Sequence, residues 1–170
     1  TDMLWRDKGE EKAGEGGEWT GRLFVAAANT NSVFVVAVDS GKNMRLLETI
    51  NVALTARHRL GMTPSGLALS PDRNSLYVVC SDANAVAVAD VREAQSRVTG
   101  FLPVGWYPTA ARSLPDGRLM VLNGKGDRSY PNPRGPNPAL RAAPTHQGIV
   151  AVQYVGRLQT GSASVIPPFN

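Results

Sequence analysis

Two stretches of this chain repeat one another without a gap. Leu23-Phe24-Val25-Ala26 followed by Asn31-Ser32-Val33-Phe34-Val35 recurs 53 positions later as Leu76-Tyr77-Val78-Val79 followed by Asn84-Ala85-Val86-Ala87-Val88. A second frame recurs at 44 positions: Gly61-Met62-Thr63-Pro64 with Pro71-Asp72, then Gly105-Trp106-Tyr107-Pro108 with Pro115-Asp116. Periods of about 40 to 50 residues mark solenoids, propellers or arrays, in which each unit buries its apolar surface against the next.

The repeated units consist of short, β-branched runs. Leu23–Ala28, Val33–Val38, Arg45–Leu54, Gly66–Ser70, Ser75–Cys80, Ala85–Asp90, Arg97–Val104, Thr109–Leu114, Arg118–Leu122 and Ser162–Ile166 read as strands. Polar links of hairpin type divide them, among them Asn29–Ser32, Asp39–Asn43, Pro71–Asn74 and Ser81–Asn84. The 17 Gly and 12 Pro in 170 residues exceed average usage of about 7% and 5%, as many short strands joined by turns require. No window carries a helical period; Val91–Ser96 reads as a turn, with room for one helical turn in Val91–Val98.

Strands at this spacing fit a sandwich, a barrel or a propeller. Restating one four-strand unit selects the propeller, whose blades are four-stranded sheets. Near-continuous Ala and Val follow if each strand buries both faces against neighbouring blades. The expected fold is all-β: about three four-stranded antiparallel blades over residues 21–57, 58–104 and 105–170. Propellers close with about four to eight blades. The open edges are therefore expected to pair with remaining blades or another chain, and to permit oligomers.

Residues 1–20 carry three basic and six acidic side chains, and 8–20 are Gly-rich and charged. Such a segment buries too little to offset its ordering entropy, so 1–20 reads as a linker or flexible N-terminal segment. Trp19 is its tether, and Met3-Leu4-Trp5 the remnant of a strand. The rest of the chain is basic, with 14 Arg against 4 Lys overall. These arginines are scattered among turns without a nucleic-acid motif, so no nucleic-acid partner is expected. No apolar run approaches the ~18 residues of a membrane span. The chain opens on Thr1 without the pattern of a signal peptide, and reads as trimmed or processed.

Gly-x-x-Pro, an apolar strand, Ser-Pro-Asp, Leu-Tyr-Val-Val, a polar link and Asn-x-Val-x-Val together resemble the YVTN-type β-propeller repeat of bacterial surface-layer and periplasmic proteins. The best copy here is Gly61–Asp90, with a poorer one at Gly105–Asn123 and a partial one at Leu23–Asp39. The resemblance implies a seven-bladed propeller and a periplasmic or extracellular setting. Asn123-Gly124-Lys125-Gly126 with Asn132-Pro133-Arg134-Gly135-Pro136-Asn137-Pro138 also resembles a narrower group. In these proteins a YVTN-type propeller precedes a phosphoesterase domain of the alkaline-phosphatase superfamily. The hydrolysis implied would reside in that second domain.

Chemistry is expected where repetition fails. After Asn123 the third copy opens into an insertion over 124–160, and Ile149–Val155 is read as an additional strand within it. Five of the twelve prolines lie between 131 and 144, which makes an extended, stiff arm. Lys125, Arg128, Arg134 and Arg141 face one acid, Asp127, over 124–147. An arm of this length contacts a partner or domain, contacts a substrate, or is a passive loop, and the first reading leads. With Tyr130 and Asn132 these residues form the candidate binding set. Trp106 and Tyr107 join it, either lining the end of the propeller or plugging the seam between blades, with the plug favoured.

No catalytic residue, metal ligand or cofactor is expected. Cys80 reads as a small buried hydrophobe, and Asp39, Asp90 and Asp116 as turn caps. His58 and His146 stand 88 residues apart without clustered acids. The leading function is a non-catalytic scaffold or binding segment. Its rival is a propeller-type hydrolase, similar to sugar lactonases, with a metal in its channel.

Overall fold

The computed structural model describes residues 2–7, 19–55, 60–128, 156 and 158–169. Within these the strands run β1 (Met3–Asp7), β2 (Trp19–Ala27), β3 (Ser32–Asp39), β4 (Met44–Asn51), β5 (Pro64–Leu69), β6 (Ser75–Cys80), β7 (Ala85–Asp90), β8 (Arg97–Pro103), β9 (Pro108–Ser113), β10 (Leu119–Asn123) and β11 (Ser162–Ile166). A 3-10 turn spans Ala28–Thr30. The strands form antiparallel sheets in the orders β1-β2-β3-β4, β5-β6-β7-β8 and β11-β10-β9, hereafter blades 1, 2 and 3. The fold is all-β, and among the described residues two blades have four strands and the third has three.

Aspartates end the strands as their spacing implies. Asp39 Oδ1 accepts the N–H of Asn43 at 2.8 Å, Asp72 Oδ1 that of Asn74 at 3.1 Å, and Asp116 Oδ1 that of Arg118 at 3.1 Å. Each carboxylate satisfies a turn amide that has no ladder partner.

Blade 2 is buried on both faces. Successive side chains along a strand point to opposite sides. Leu76, Val78 and Cys80 of β6, with Ala87 and Ala89 of β7, therefore pack toward Phe24, Ala26, Val33 and Val35 of blade 1. Tyr77, Val79, Val86 and Val88 pack the other way, toward Ala111, Leu119 and Val121 of blade 3. Fully burying a Val, Leu or Phe side chain contributes ~1.5–3 kcal/mol. The two apolar seams, rather than the polar turns, carry the stability.

Blade 1 starts earlier than the linker expected over residues 1–20 allows. Met3–Asp7 pairs with β2 from Met3↔Val25 to Asp7↔Gly21 and takes the place that β5 has in blade 2. Trp19 and Thr20 already belong to β2. The strand remnant expected at Met3-Leu4-Trp5 is there and reaches Asp7, ordered along the edge of β2. Residues 8–18 lie outside the described residues.

The helical turn expected in Val91–Val98 does not form. Arg6 Nη1 donates to Val91 O at 2.7 Å, and Arg22 Nη1 to Glu93 O at 3.0 Å. Glu48 accepts the N–H and the hydroxyl of Ser96. These groups of the link are drawn across to blade 1.

Candidate functional site

The two seams carry the same lock at one end of the blades. Asn31 and Asn84 stand in the links after β2 and β6, each with φ of 52°, a left-handed conformation that asparagine tolerates. Their backbone oxygens accept the N–H groups of Val52 (2.9 Å) and Val104 (3.0 Å). Their side chains reach forward to the next blade. Asn31 Oδ1 accepts from Gly61 N at 3.0 Å and Met62 N at 2.8 Å, and Asn84 Oδ1 from Tyr107 N at 2.8 Å. The Gly-x-x-Pro turn receives the asparagine of the preceding blade, so the two motifs recur together.

At the same end, blade 3 is built differently. Asn123 pairs with Pro108 as Cys80 pairs with Pro64, so a buried amide stands where blade 2 has a thiol. Its Nδ2 donates to Ser162 Oγ (3.2 Å) and Ser164 Oγ (2.9 Å), fastening β11 to β10. Its Oδ1 has no hydrogen-bond partner among the described residues. A buried acceptor left unpaired costs about 1–3 kcal/mol.

The β9–β10 hairpin then continues past its strands. Gly124 N donates to Tyr107 O (2.9 Å), Lys125 N to Trp106 O (3.1 Å) and Trp106 N to Gly126 O (2.6 Å). Two glycines make this extension fit. A Cβ on Gly105 would lie 2.6 Å from both Asn123 Cγ and Gly126 O, and Gly126 holds φ at 73° with Thr160 O 2.4 Å from any Cβ. The root of the inserted arm is therefore a closely packed ladder.

Of the expected binding residues, the structure brings Trp106, Tyr107 and Lys125 together on this ladder. Lys125 Nζ stands 4.4 Å from the centroid of the Tyr107 ring, a contact contributing ~0.5–1 kcal/mol at an exposed position. Trp106 is 42% exposed. It therefore stands on the surface instead of plugging the seam, with its backbone paired to Lys125 and Gly126 in the ladder. Arg128 is exposed where the turn ends. Tyr130, Asn132, Arg134 and Arg141, like the strand expected at Ile149–Val155, lie outside the described residues. Sequence reasoning missed Asn123 and Gly105. The signal was an asparagine replacing a cysteine at an aligned position.

The titratable groups serve structure. The Asn43 side chain lowers the pKa of Asp39, the Ser70 hydroxyl that of Asp72, and the Arg118 backbone N–H that of Asp116. Arg92 holds the Asp90 carboxyl down to about 2. Burial pushes the Cys80 thiol up to about 12, and at that value it does not act as a nucleophile near neutrality. Among the described residues no three His, Cys, Asp or Glu side chains gather to hold a metal. His58 and His146 lie outside them.

A cleft of about 600 Å³ opens on blade 2, lined by Tyr77, Val88, Gly100–Leu102, Asp72 and Asp90 among others, with Phe169 from beyond β11 at its side. The Phe169 ring meets Tyr77 edge-on, with centroids 5.9 Å apart. Both carboxylates on its rim are engaged in their own turns.

No family model matches the chain, and no curated protein sequence matches it. Among solved structures, it is similar to hydrazine synthase from Kuenenia stuttgartiensis, at 22% identity and a TM-score of 0.49, over 61% of this chain and 26% of that one. It is also similar to a functionally unknown protein from Desulfotomaculum acetoxidans DSM 771, at 13% identity and a TM-score of 0.49, over 61% of this chain and 32% of that one. The chain thus spans about a quarter and a third of those two chains. The blades themselves are identified by the two-faced burial of β6 and β7.

Proposed function

We propose that this chain is a non-catalytic propeller segment whose arm-bearing end contacts another protein or domain. The observation that carries the reading is the ladder at residues 105–107 and 124–126, which presents an exposed tryptophan beside a lysine stacked on tyrosine. Tryptophan and tyrosine rings offered from a closely packed base are side chains that anchor protein interfaces. The faces left open agree with further blades. On blade 1, Trp5, Leu23, Val36 and Leu46 form one cross-strand row, with Trp5 40% and Leu46 56% exposed. Blade 3 exposes Leu122 and Val165.

By resemblance to YVTN-type proteins, the complete propeller has seven blades and is exported, and the arm meets a phosphoesterase domain. Replacing residues 128–156 by a short Gly-Ser link, and separately Trp106→Ala with Lys125→Ala, tests the contact. Each is expected to weaken association with such a domain supplied as a separate chain by at least about tenfold, near 1.4 kcal/mol. Unchanged association sinks the reading.

A further inference from the structure

On its side toward blade 3, blade 2 sorts its cross-strand rows by polarity. Ser75 and Asp90 form one row, Tyr77, Val88 and Gly100 the next, and Val79, Val86 and Leu102 the third. The first two rows and Leu102 line the cleft of about 600 Å³, a size within the ~300–1,000 Å³ of small-molecule sites. The cleft is therefore amphipathic, acidic beside Asp72 and Asp90 and apolar toward Leu102.

A gap in its wall leaves room for a ring. Gly100 stands where blade 1 has Glu48, by the pairs Val35↔Glu48 and Val88↔Gly100. The Glu48 carboxylate crosses its seam to Ser96, whereas a Cβ on Gly100 would meet nothing within 4 Å.

Tyr77 gives the cleft a directed polar group. The residue is 7% exposed, and its hydroxyl makes no hydrogen bond among the described residues. A buried tyrosine usually finds a partner for its O–H, so this one is unpartnered in a cavity that can supply a ligand. Burial, and after it the Asp72 carboxylate, raise the pKa of the hydroxyl. It is therefore neutral near pH 7 and has a negative neighbour. Asp72 Oδ2 accepts one bond, from Asn74 Nδ2 at 3.0 Å, and a carboxylate oxygen has two lone pairs. The Arg92 guanidinium is engaged by Asp90 through Nε and Nη2. Two carboxylates against one guanidinium leave the lining acidic.

We propose that this cleft binds a small aromatic amine, its ring against Gly100 and Leu102 and its ammonium donating to Tyr77 Oη and Asp72 Oδ2. Both oxygens accept, and an ammonium has three donors to give. The site shares no residue with the ladder at 105–107 and 124–126, so it stands or falls separately from the contact proposed there.

2-Phenylethylamine and 3-phenylpropionate carry one ring on the same two-carbon tail with opposite charges. Each is titrated into the 170-residue chain and followed by amide NMR shifts at Tyr77, Val88 and Gly100. The amine is expected to saturate with a Kd of about 1 mM or tighter, at least about tenfold below that of the carboxylate. Tyr77→Phe keeps the ring in the seam and should weaken the amine roughly three- to tenfold. Gly100→Leu fills the gap and should abolish binding. If that variant fails to fold, intermolecular NOEs from the amine's ring to the Leu102 methyls of the parent locate the ligand instead, and their absence at saturation overturns the proposal. So does a carboxylate that binds as tightly as the amine, or binding unchanged in Tyr77→Phe. Binding that survives in folded Gly100→Leu, or no saturation by about 10 mM amine, overturns it too.

Discussion

Asn84 and Tyr107 meet across the seam between blades 2 and 3, the side-chain oxygen of one accepting the backbone N–H of the other at 2.8 Å. The residue must also hold a φ of 52°, so the position makes two demands at once. Asn84→Gly keeps the backbone conformation and loses the bond, at about 1 kcal/mol. Asn84→Ala loses both, at about 2–3 kcal/mol. Asn31→Ala should cost more again, because it strands two N–H groups. Urea unfolding of the variants gives the order, and equal losses for glycine and alanine would remove the conformational half of the argument.

Gly105→Ala sets a methyl against Asn123 and the backbone oxygen of Gly126, neither of which is the free end of a flexible chain. Overpacking of this kind costs roughly 1–3 kcal/mol, and the Trp106–Lys125 ladder should loosen with it. Trp106 fluorescence and hydrogen exchange at Gly124–Gly126 report the change. Gly100→Ala enters open space and should stay within about 0.5 kcal/mol of the parent. A reversal of the two effects would contradict the packing described for the arm root.

Asp90 is held at about 2 by the side chain of Arg92, below the usual value of about 3.9. A carboxyl depressed in the fold stabilises it above that usual value. The contribution disappears as pH falls through the window from about 4 to about 2. Asp90→Asn should therefore lower stability near neutrality, with the difference fading as pH falls through about 2 and gone well below it. Because the Arg92 side chain is 62% exposed, the difference should shrink with added salt. A difference that does not fall between neutrality and about pH 2 would point to a cause other than charge.

Cys80 is fully buried, with its thiol pushed up to about 12. A thiol-specific reagent at pH 8 should leave it untouched in the folded chain and label it fully in denaturant. Rapid labelling without denaturant would show that the seam between blades 1 and 2 opens.

The blades are legible in the sequence because Val33–Val38 or Ala85–Asp90 carry their β-branched runs between turn residues whose aspartates cap the ends. β1 is legible only in part: Met3-Leu4-Trp5 reads as the remnant of a strand, while its extension to Asp7 and its place in blade 1 are set by pairing with β2. The repeated letters Asn31 and Asn84 are plain, yet their forward bonds to the following blade depend on where a turn more than 20 residues away comes to rest. Trp106 misleads for a related reason. Size argues for burial, yet the ring is exposed on a ladder with Lys125 and Gly126 that the repeat itself does not announce. Cys80 reads correctly from its apolar neighbours alone, because a small thiol makes no demand beyond space.

The asparagine locks point in one direction along the chain. The side chain of each waits on a turn that is synthesised later: Asn31 on Met62, Asn84 on Tyr107. In a chain growing from its N-terminus, each of these two locks can therefore close only after the turn of the following blade has emerged, so the last bond of a seam belongs to the younger of its two blades.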